Sequence, residues 1–147
     1  MTEQKASMYD SFAKALFYEE PAGTFSHGHI FANAPDITSD QDDPEIGYWH
    51  CDIAHCDRLT WSEKVYELFG LPPGAPIDRD RAVARYSDPS KSALNKVRNY
   101  AISRKVGFIL DAEVSPKGAD SRWIRVLAIS ILSRGVVVGV HGLKRAL

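Results

Sequence analysis

The stretch GYWHCDIAHCDRLTWSEKVYELFG, residues 47–70, decides the fold of this chain. Its first part alternates apolar and polar residues, which predicts a strand with one buried face. A polar break at residues 54–57 predicts a turn before a second short strand. The apolar residues that share one face of this predicted hairpin are Trp49, Cys51, Ile53, Leu59 and Trp61.

A helix should follow the hairpin directly. Ser62 is a suitable N-cap, and Glu63 is favourable at the positive end of the helix. Apolar residues then recur at helical spacing, and Gly70 ends the pattern. The buried stripe of this helix is formed by Val65, Leu68 and Phe69.

These residues resemble the opening of a PAS domain of subtype three. That family begins with Gly-x-Trp-x-x-Asp-hydrophobic, then a turn, then Trp-Ser before a helix that ends in Leu-Phe-Gly. The resemblance extends from about Gly47 to Gly142. The residues that match are Gly47, Trp49, Asp52, Ile53, Trp61, Ser62, Tyr66, Leu68, Phe69, Gly70, Leu71 and Pro72.

The remaining pattern predicts an α+β architecture. A short helix is expected over residues 78–86, and Asp88 before a proline predicts the N-cap of a long helix to about Val106. Three alternating strands follow, with a turn at residues 116–118. We therefore expect a PAS-like antiparallel sheet of about five strands, with helices on one face, over residues 46–147.

The chain ahead of this domain divides into an amphipathic helix, residues 1–22, and a linker, residues 23–45. The helix covers its own sheet, pairs two subunits, or does both, and these roles remain open. The next-to-last strand is apolar on its outer face too, where a half-solvated strand should be polar. We therefore expect a homodimer. The predicted dimer or partner surface comprises Met8, Phe12, Leu16, Phe17, Leu127, Ile129 and Ile131.

Composition excludes several classes of function. The 147 residues carry a net charge of -1 with scattered Lys and Arg, so no nucleic-acid footprint is expected. Two cysteines provide no disulfide framework. The longest apolar runs are too short for a membrane span. We expect a cytoplasmic protein, and the resemblance implies a bacterial signalling role.

The residues His50, Cys51, His55 and Cys56 are of types that bind zinc. His50 and Cys51 are strand neighbours and should point to opposite faces. Recruiting His27 or His29 would require the linker to fold back. We therefore predict no metal site.

The resemblance also bears on cofactors. Haem-binding PAS domains use a histidine on the long helix, and residues 88–106 contain none. Flavin photoreceptor members use a helical cysteine within Asn-Cys-Arg, whereas both cysteines here lie in the hairpin. We predict neither haem nor covalent flavin. A non-covalent apolar ligand and a closed core both remain open. The pocket would be lined by Trp49, Cys51, Trp61, Phe69, Val97, Phe108, Leu110 and Val126.

No catalytic set emerges, and Asp111 and Glu113 fall out of the apolar register, which predicts solvated side chains. The resemblance implies a sensory module, not an enzyme, that acts through protein–protein interaction. The usual Asp-Ile-Thr ending is replaced by Leu-Lys-Arg at residues 143–145. We therefore expect the output in a separate kinase or regulator, or beyond the end of this chain. The alternative is a ketosteroid-isomerase-like enzyme or carrier, for which His141 is the candidate acid or base.

Overall fold

The computed structural model describes Ala13 and residues 15–20, 22–33, 43–116 and 120–147. In this part of the chain one antiparallel sheet carries three α-helices with described bounds, and further helical residues lie in the N-terminal segment. Its strands are β1 (His29–Phe31), β2 (Gly47–Asp52), β3 (Arg58–Trp61), β4 (Gly107–Val114), β5 (Arg122–Ser133) and β6 (Val136–Ala146). The helices are α1 (Glu63–Leu68), α2 (Arg79–Val83) and α3 (Asp88–Arg104). The sheet order is β1-β4-β5-β6-β2-β3, which confirms the predicted α+β class.

The opening hairpin has the predicted register. Trp49 lies opposite Trp61, and Cys51 lies opposite Leu59. Both pairs face the helices, as the alternation requires. The inner face of the sheet and the helices α1 to α3 enclose the main core. Its largest fully buried side chains include Phe69, Phe108, Leu68, Leu110, Ile124 and Val65.

Two of the three predicted helix starts differ in detail. Ser62 occupies the N-cap position of α1, but its hydroxyl accepts the Tyr48 N–H at 2.9 Å instead of capping the helix. Asp78 caps α2 as predicted. The N-cap of α3 is Ser87, not Asp88, and its Oγ accepts the Ser90 N–H at 3.4 Å.

The predicted linker contributes a strand. β1 pairs with β4 along the sheet edge, so the sheet has six strands instead of about five. Phe31 is 7% exposed and packs on the outer face of the sheet. Three residues are too few for a periodicity to show in sequence, and their pairing depends on the free edge of β4. Residues 34–42, and Lys117 and Gly118 of the predicted turn, lie outside the described residues.

The outer face of the sheet is covered by the chain's own N-terminal segment. Ala13 and residues 15–18 are helical, and Phe17 is fully buried against the outer face. Of the two roles left open for this helix, the structure shows the cover over its own sheet. Met8 and Phe12 lie outside the described residues. The buried outer-face residues are Phe31, Ile46, Ile109, Leu127, Ile129 and Leu143, and Ile131 is half-buried.

The prediction that Asp111 is solvated is wrong. Asp111 and Arg125 are both 0% exposed, with Nε–Oδ1 and Nη2–Oδ2 distances of 2.6 and 2.8 Å. Arg125 also donates to the backbone carbonyls of Leu16 and Glu19. The N-terminal segment excludes water from this ion pair, which strand alternation alone could not reveal. Glu113 is half-buried and accepts a hydrogen bond from Ser121 Oγ at 3.1 Å.

Candidate ligand-binding site

A cavity of about 60 Å³ lies between the inner face of the sheet and helices α2 and α3. Of the predicted pocket residues, those that line it are Trp49, Cys51, Trp61, Phe108 and Val126. The others, which belong to the same core but not to the lining, are Phe69, Val97 and Leu110. The lining residues that sequence reasoning missed are Leu59, Arg79, Ala82, Val83, Tyr86, Leu94, Arg98 and Lys144.

Lys144 is the most unusual of these side chains. It projects from the inner face of β6 and is only 7% exposed. Its Nζ lies 4.9 Å from the ring centre of Phe69, 5.1 Å from Trp49, 5.7 Å from Trp61 and 6.0 Å from Tyr86. Ring faces attract a cation electrostatically. No hydrogen bond or ion pair joins Lys144 to any described residue.

Burial makes the charged form of this lysine costly. Desolvation lowers the pKa of Lys144 from 10.5 to about 7, and the nearby Cys51 thiol opposes this only in part. Lys144 therefore changes charge near neutral pH inside the cavity. Such a group is suited to respond to a charged ligand.

Two arginines add positive charge to the cavity wall. Arg98 pairs with Asp57 at 3.2 Å between Nη2 and Oδ1, and Arg79 donates to Asn95 Oδ1 at 3.2 Å. Burial lowers the pKa of Arg79, and the positive charge of Arg98 lowers it further. Unlike Lys144, both arginines have a polar partner.

Trp49 presents a second polar group without a partner. Its indole is 7% exposed, and Nε1 has no acceptor among the described residues. A buried N–H without an acceptor costs about 1–3 kcal/mol. The Trp49 indole and the Lys144 ammonium therefore both lack an acceptor at one cavity.

His141 lies on the other face of the sheet. Its Nδ1 is 2.8 Å from the Tyr48 hydroxyl, and its ring lies 6.2 Å from that of His50. The candidate acid or base of the enzyme alternative is therefore separated from the cavity by the sheet. The enzyme alternative required an acid or base inside the pocket, and His141 does not supply one.

A larger groove of about 350 Å³ adjoins the cavity and shares Trp61 and Ala82 with it. The groove follows the loop between α1 and α2 and the end of α2. Its other lining residues are Leu71, Pro76, Ile77, Arg81, Ala84 and Arg85.

The described residues contain no group of three His, Cys, Asp or Glu side chains that could hold a metal ion. His55 instead contacts Asp52 at 2.9 Å, and Cys56 is exposed. Within the same part of the chain, no helix combines the length and apolar character needed to cross a membrane.

No protein-family model and no curated protein matches this chain. Solved structures do match it. An RNA-binding Light-Oxygen-Voltage receptor superposes with a TM-score of 0.62 at 14% identity over 70% of this chain. The N-terminal domain of a diguanylate cyclase with PAS/PAC sensor from Marinobacter aquaeolei gives a TM-score of 0.62 at 14% identity, covering 69% of this chain and 94% of that one. The chain has the PAS fold.

A variant of Vivid covers 95% of the chain and 93% of its own length, with a TM-score of 0.57 at 11% identity. The PAS-fold likeness to Vivid thus reaches beyond the sheet and helices into the N-terminal region. The chain spans 29% of the length of the Light-Oxygen-Voltage receptor.

Lys144 lies in the last strand of this PAS fold, β6. A sequence signal for its burial existed. Val140 faces the core, and continuing the strand alternation by four residues places Lys144 on the same face. A lysine is rarely buried without a partner. The residue type therefore favoured an exposed side chain, whereas the strand register favoured a buried one.

Replacing Lys144 by methionine should raise the free energy of unfolding by about 1–4 kcal/mol at pH 7, because an apolar group of similar size removes the cost of burying an amine. The low folded-state pKa means that unfolding takes up a proton between about pH 7 and 10.5. The wild type should therefore gain stability as pH rises through this window, by up to about 1.4 kcal/mol per pH unit from this group. Urea melts at pH 7, 8 and 9 measure both effects.

Lys96→Met is the matched control, because Lys96 is exposed on α3. This control should follow the wild-type pH profile. The stability advantage of Lys144→Met should shrink as pH rises. A constant difference between the two variants across pH would contradict the low pKa of Lys144.

Proposed function

We propose that this protein is a sensory signalling module that binds a small ligand non-covalently in the cavity and passes the resulting conformational change to a partner protein. The observation that carries the proposal is a cavity inside a PAS fold at which a buried lysine and a buried indole N–H lack acceptors among the described residues. The structural neighbours support the sensory part. One is a sensory box histidine kinase/response regulator from Burkholderia thailandensis E264, with a TM-score of 0.59 at 11% identity.

A short route could carry the signal through the sheet. Lys144 faces the cavity, and its neighbour Arg145 faces the N-terminal segment. Arg145 Nε donates to the Phe17 carbonyl at 2.6 Å, and its Nη1 lies 3.6 Å from Glu20 Oε1. A ligand that moves β6 at Lys144 would change these contacts. The N-terminal segment is then the element whose two arrangements the ligand would bias.

Hydrogen exchange tests this function. A panel of small acids, amines and neutral compounds is screened by thermal shift, and each hit is tested for changes in amide exchange. We expect slower exchange around the cavity and altered exchange in residues 15–20. A panel that leaves the melting temperature unchanged would contradict ligand sensing. A hit that protects the cavity and leaves residues 15–20 unchanged would contradict the proposed route.

The homodimer remains a prediction. Because the N-terminal segment covers its own sheet, a dimer through this helix would use the exposed face of the helix or an exchange of the segment between the two copies. Light scattering should then show dimers for the full chain and monomers or aggregates after deletion of residues 1–20. A monomer at high micromolar concentration would contradict the dimer.

The partner protein is expected to be a separate kinase or regulator, by analogy with the enzymes named in the neighbouring structures. Haem and covalent flavin form no part of the proposal, because α3 carries no histidine and both cysteines lie in or beside the β2–β3 hairpin. The absence of both cofactors and the cytoplasmic location stay predictions. The enzyme alternative is less favoured, since His141 lies outside the cavity.

A further inference from the structure

We propose that the cavity receives the carboxylate of a small monocarboxylic acid with an apolar or aromatic body, and that Lys144 is the residue that pairs with it. The inference rests on the proposed function, because it names the chemical class of the ligand for the same cavity.

The charged residues of the cavity wall favour an anionic ligand. In the part of the chain that the structure describes, the cavity lining contains Lys144, Arg79 and Arg98 and no aspartate or glutamate. The nearby Asp57 pairs with Arg98, and its side chain is 41% exposed. A cationic ligand would meet net repulsion here, whereas an anion would supply the charge that the wall lacks.

The hydrogen-bond donors of the cavity favour a ligand with acceptors. Lys144 Nζ and Trp49 Nε1 are donors without acceptors among the described residues. A carboxylate has two oxygens that accept charge-assisted hydrogen bonds. A neutral apolar ligand would leave both donors unsatisfied, and that cost selects against it.

The sizes of the cavity and the adjoining groove suit a small acid with an apolar body. A volume of about 60 Å³ exceeds the roughly 10–15 Å³ that a cavity needs to hold one water, so it has room for a carboxylate. The body of the ligand would extend past Trp61 and Ala82, which the cavity shares with the groove of about 350 Å³. The aromatic and aliphatic walls there suit an apolar body.

The pH dependence of ligand binding would identify Lys144 as the residue that pairs with the carboxylate. The other titratable groups at the cavity are Cys51, Tyr86, Arg79 and Arg98. Burial raises the pKa values of Cys51 and Tyr86, both of which ordinarily titrate at pH 9 or above. Tyr48 and His50 both contact His141 on the outer side of the sheet. Near pH 7 the cavity charge therefore changes through Lys144.

Calorimetric titration with benzoate provides the test, with benzamide as the neutral analogue and butyrate as an aliphatic acid. We expect benzoate to bind more tightly than benzamide by at least tenfold. Its affinity should fall as pH rises above 7, by up to about tenfold per pH unit, because a carboxylate needs the protonated amine. Lys144→Met should abolish this difference and the pH dependence, while Lys96→Met, altered at an exposed lysine, should retain both.

The outcomes separate the two proposals. If benzamide binds as tightly as benzoate, or Lys144→Met keeps the benzoate affinity, the carboxylate inference is overturned while ligand sensing stands. If neither acid binds but another compound protects the cavity in the exchange experiment, the inference is again overturned on its own. If no compound binds at all, both fall together.

Discussion

Replacing Asp111 by alanine should lower the free energy of unfolding by about 3–5 kcal/mol, the usual cost of leaving a buried charge without its partner. Arg125 is 0% exposed, and Asp111 provides both oxygens of its bidentate ion pair. Without that carboxylate the guanidinium would lose its bidentate acceptor while it stays buried against the N-terminal segment, where it also donates to the Leu16 and Glu19 carbonyls. Urea denaturation of the two proteins at pH 7 measures the loss.

The effect of this substitution should extend to the turn before β1. Asp111 Oδ2 accepts the Phe25 N–H at 3.2 Å, and the Arg125 guanidinium lies 4.9 Å from the Phe25 ring centre. Loss of the pair therefore loosens the turn before β1 as well. Faster amide exchange in residues 22–28 is expected along with the lower stability.

Two controls separate charge from packing. Glu113→Ala changes a half-buried carboxylate on the same strand and should cost less than about 1 kcal/mol. The double variant Asp111→Leu with Arg125→Met removes both charges and should be more stable than Asp111→Ala. If Asp111→Ala and Glu113→Ala lose equal stability, the buried pair is not the source of the cost.

Replacing Trp61 by alanine should also cost about 3–5 kcal/mol, as expected for a buried aromatic residue. The side chain is 8% exposed, stacks on Phe69 with ring centres 4.8 Å apart, and meets Tyr66 edge-on at 5.3 Å. It also walls the cavity and contacts Lys144. Truncation therefore removes core packing and one of the rings around the buried amine together.

Trp123→Ala is the matched control, because this tryptophan is 36% exposed on β5. Its truncation should cost less than half as much as that of Trp61, since partly exposed side chains lose less packing. Trp49→Ala should resemble Trp61→Ala, as Trp49 is 7% exposed and lies opposite Trp61. Equal costs for Trp61 and Trp123 in urea melts would contradict the hairpin register.

Local pattern was enough to predict most of the sheet and its helices. Strand alternation assigned Trp49, Cys51, Leu59 and Trp61 to one face, and the structure confirms their register. The stop signals after α1 and the Asp78 cap of α2 also depend only on neighbours in sequence. Such features need no knowledge of the distant chain, because the backbone geometry of a strand or helix fixes where successive side chains point.

Tertiary structure decided which polar residues are buried. The sequence by itself determined that Asp111 and Arg125 face the outer side of the sheet, but only the N-terminal segment packed over them removes water from the pair. Tertiary structure also decided the burial of Lys144. Strand register places its side chain on the core side of β6, but the aromatic rings around it come from β2, β3, the C-cap of α1 and the residues before α3. Charge burial depends on segments far apart in the chain, because a side chain loses its hydration only when distant residues close over it.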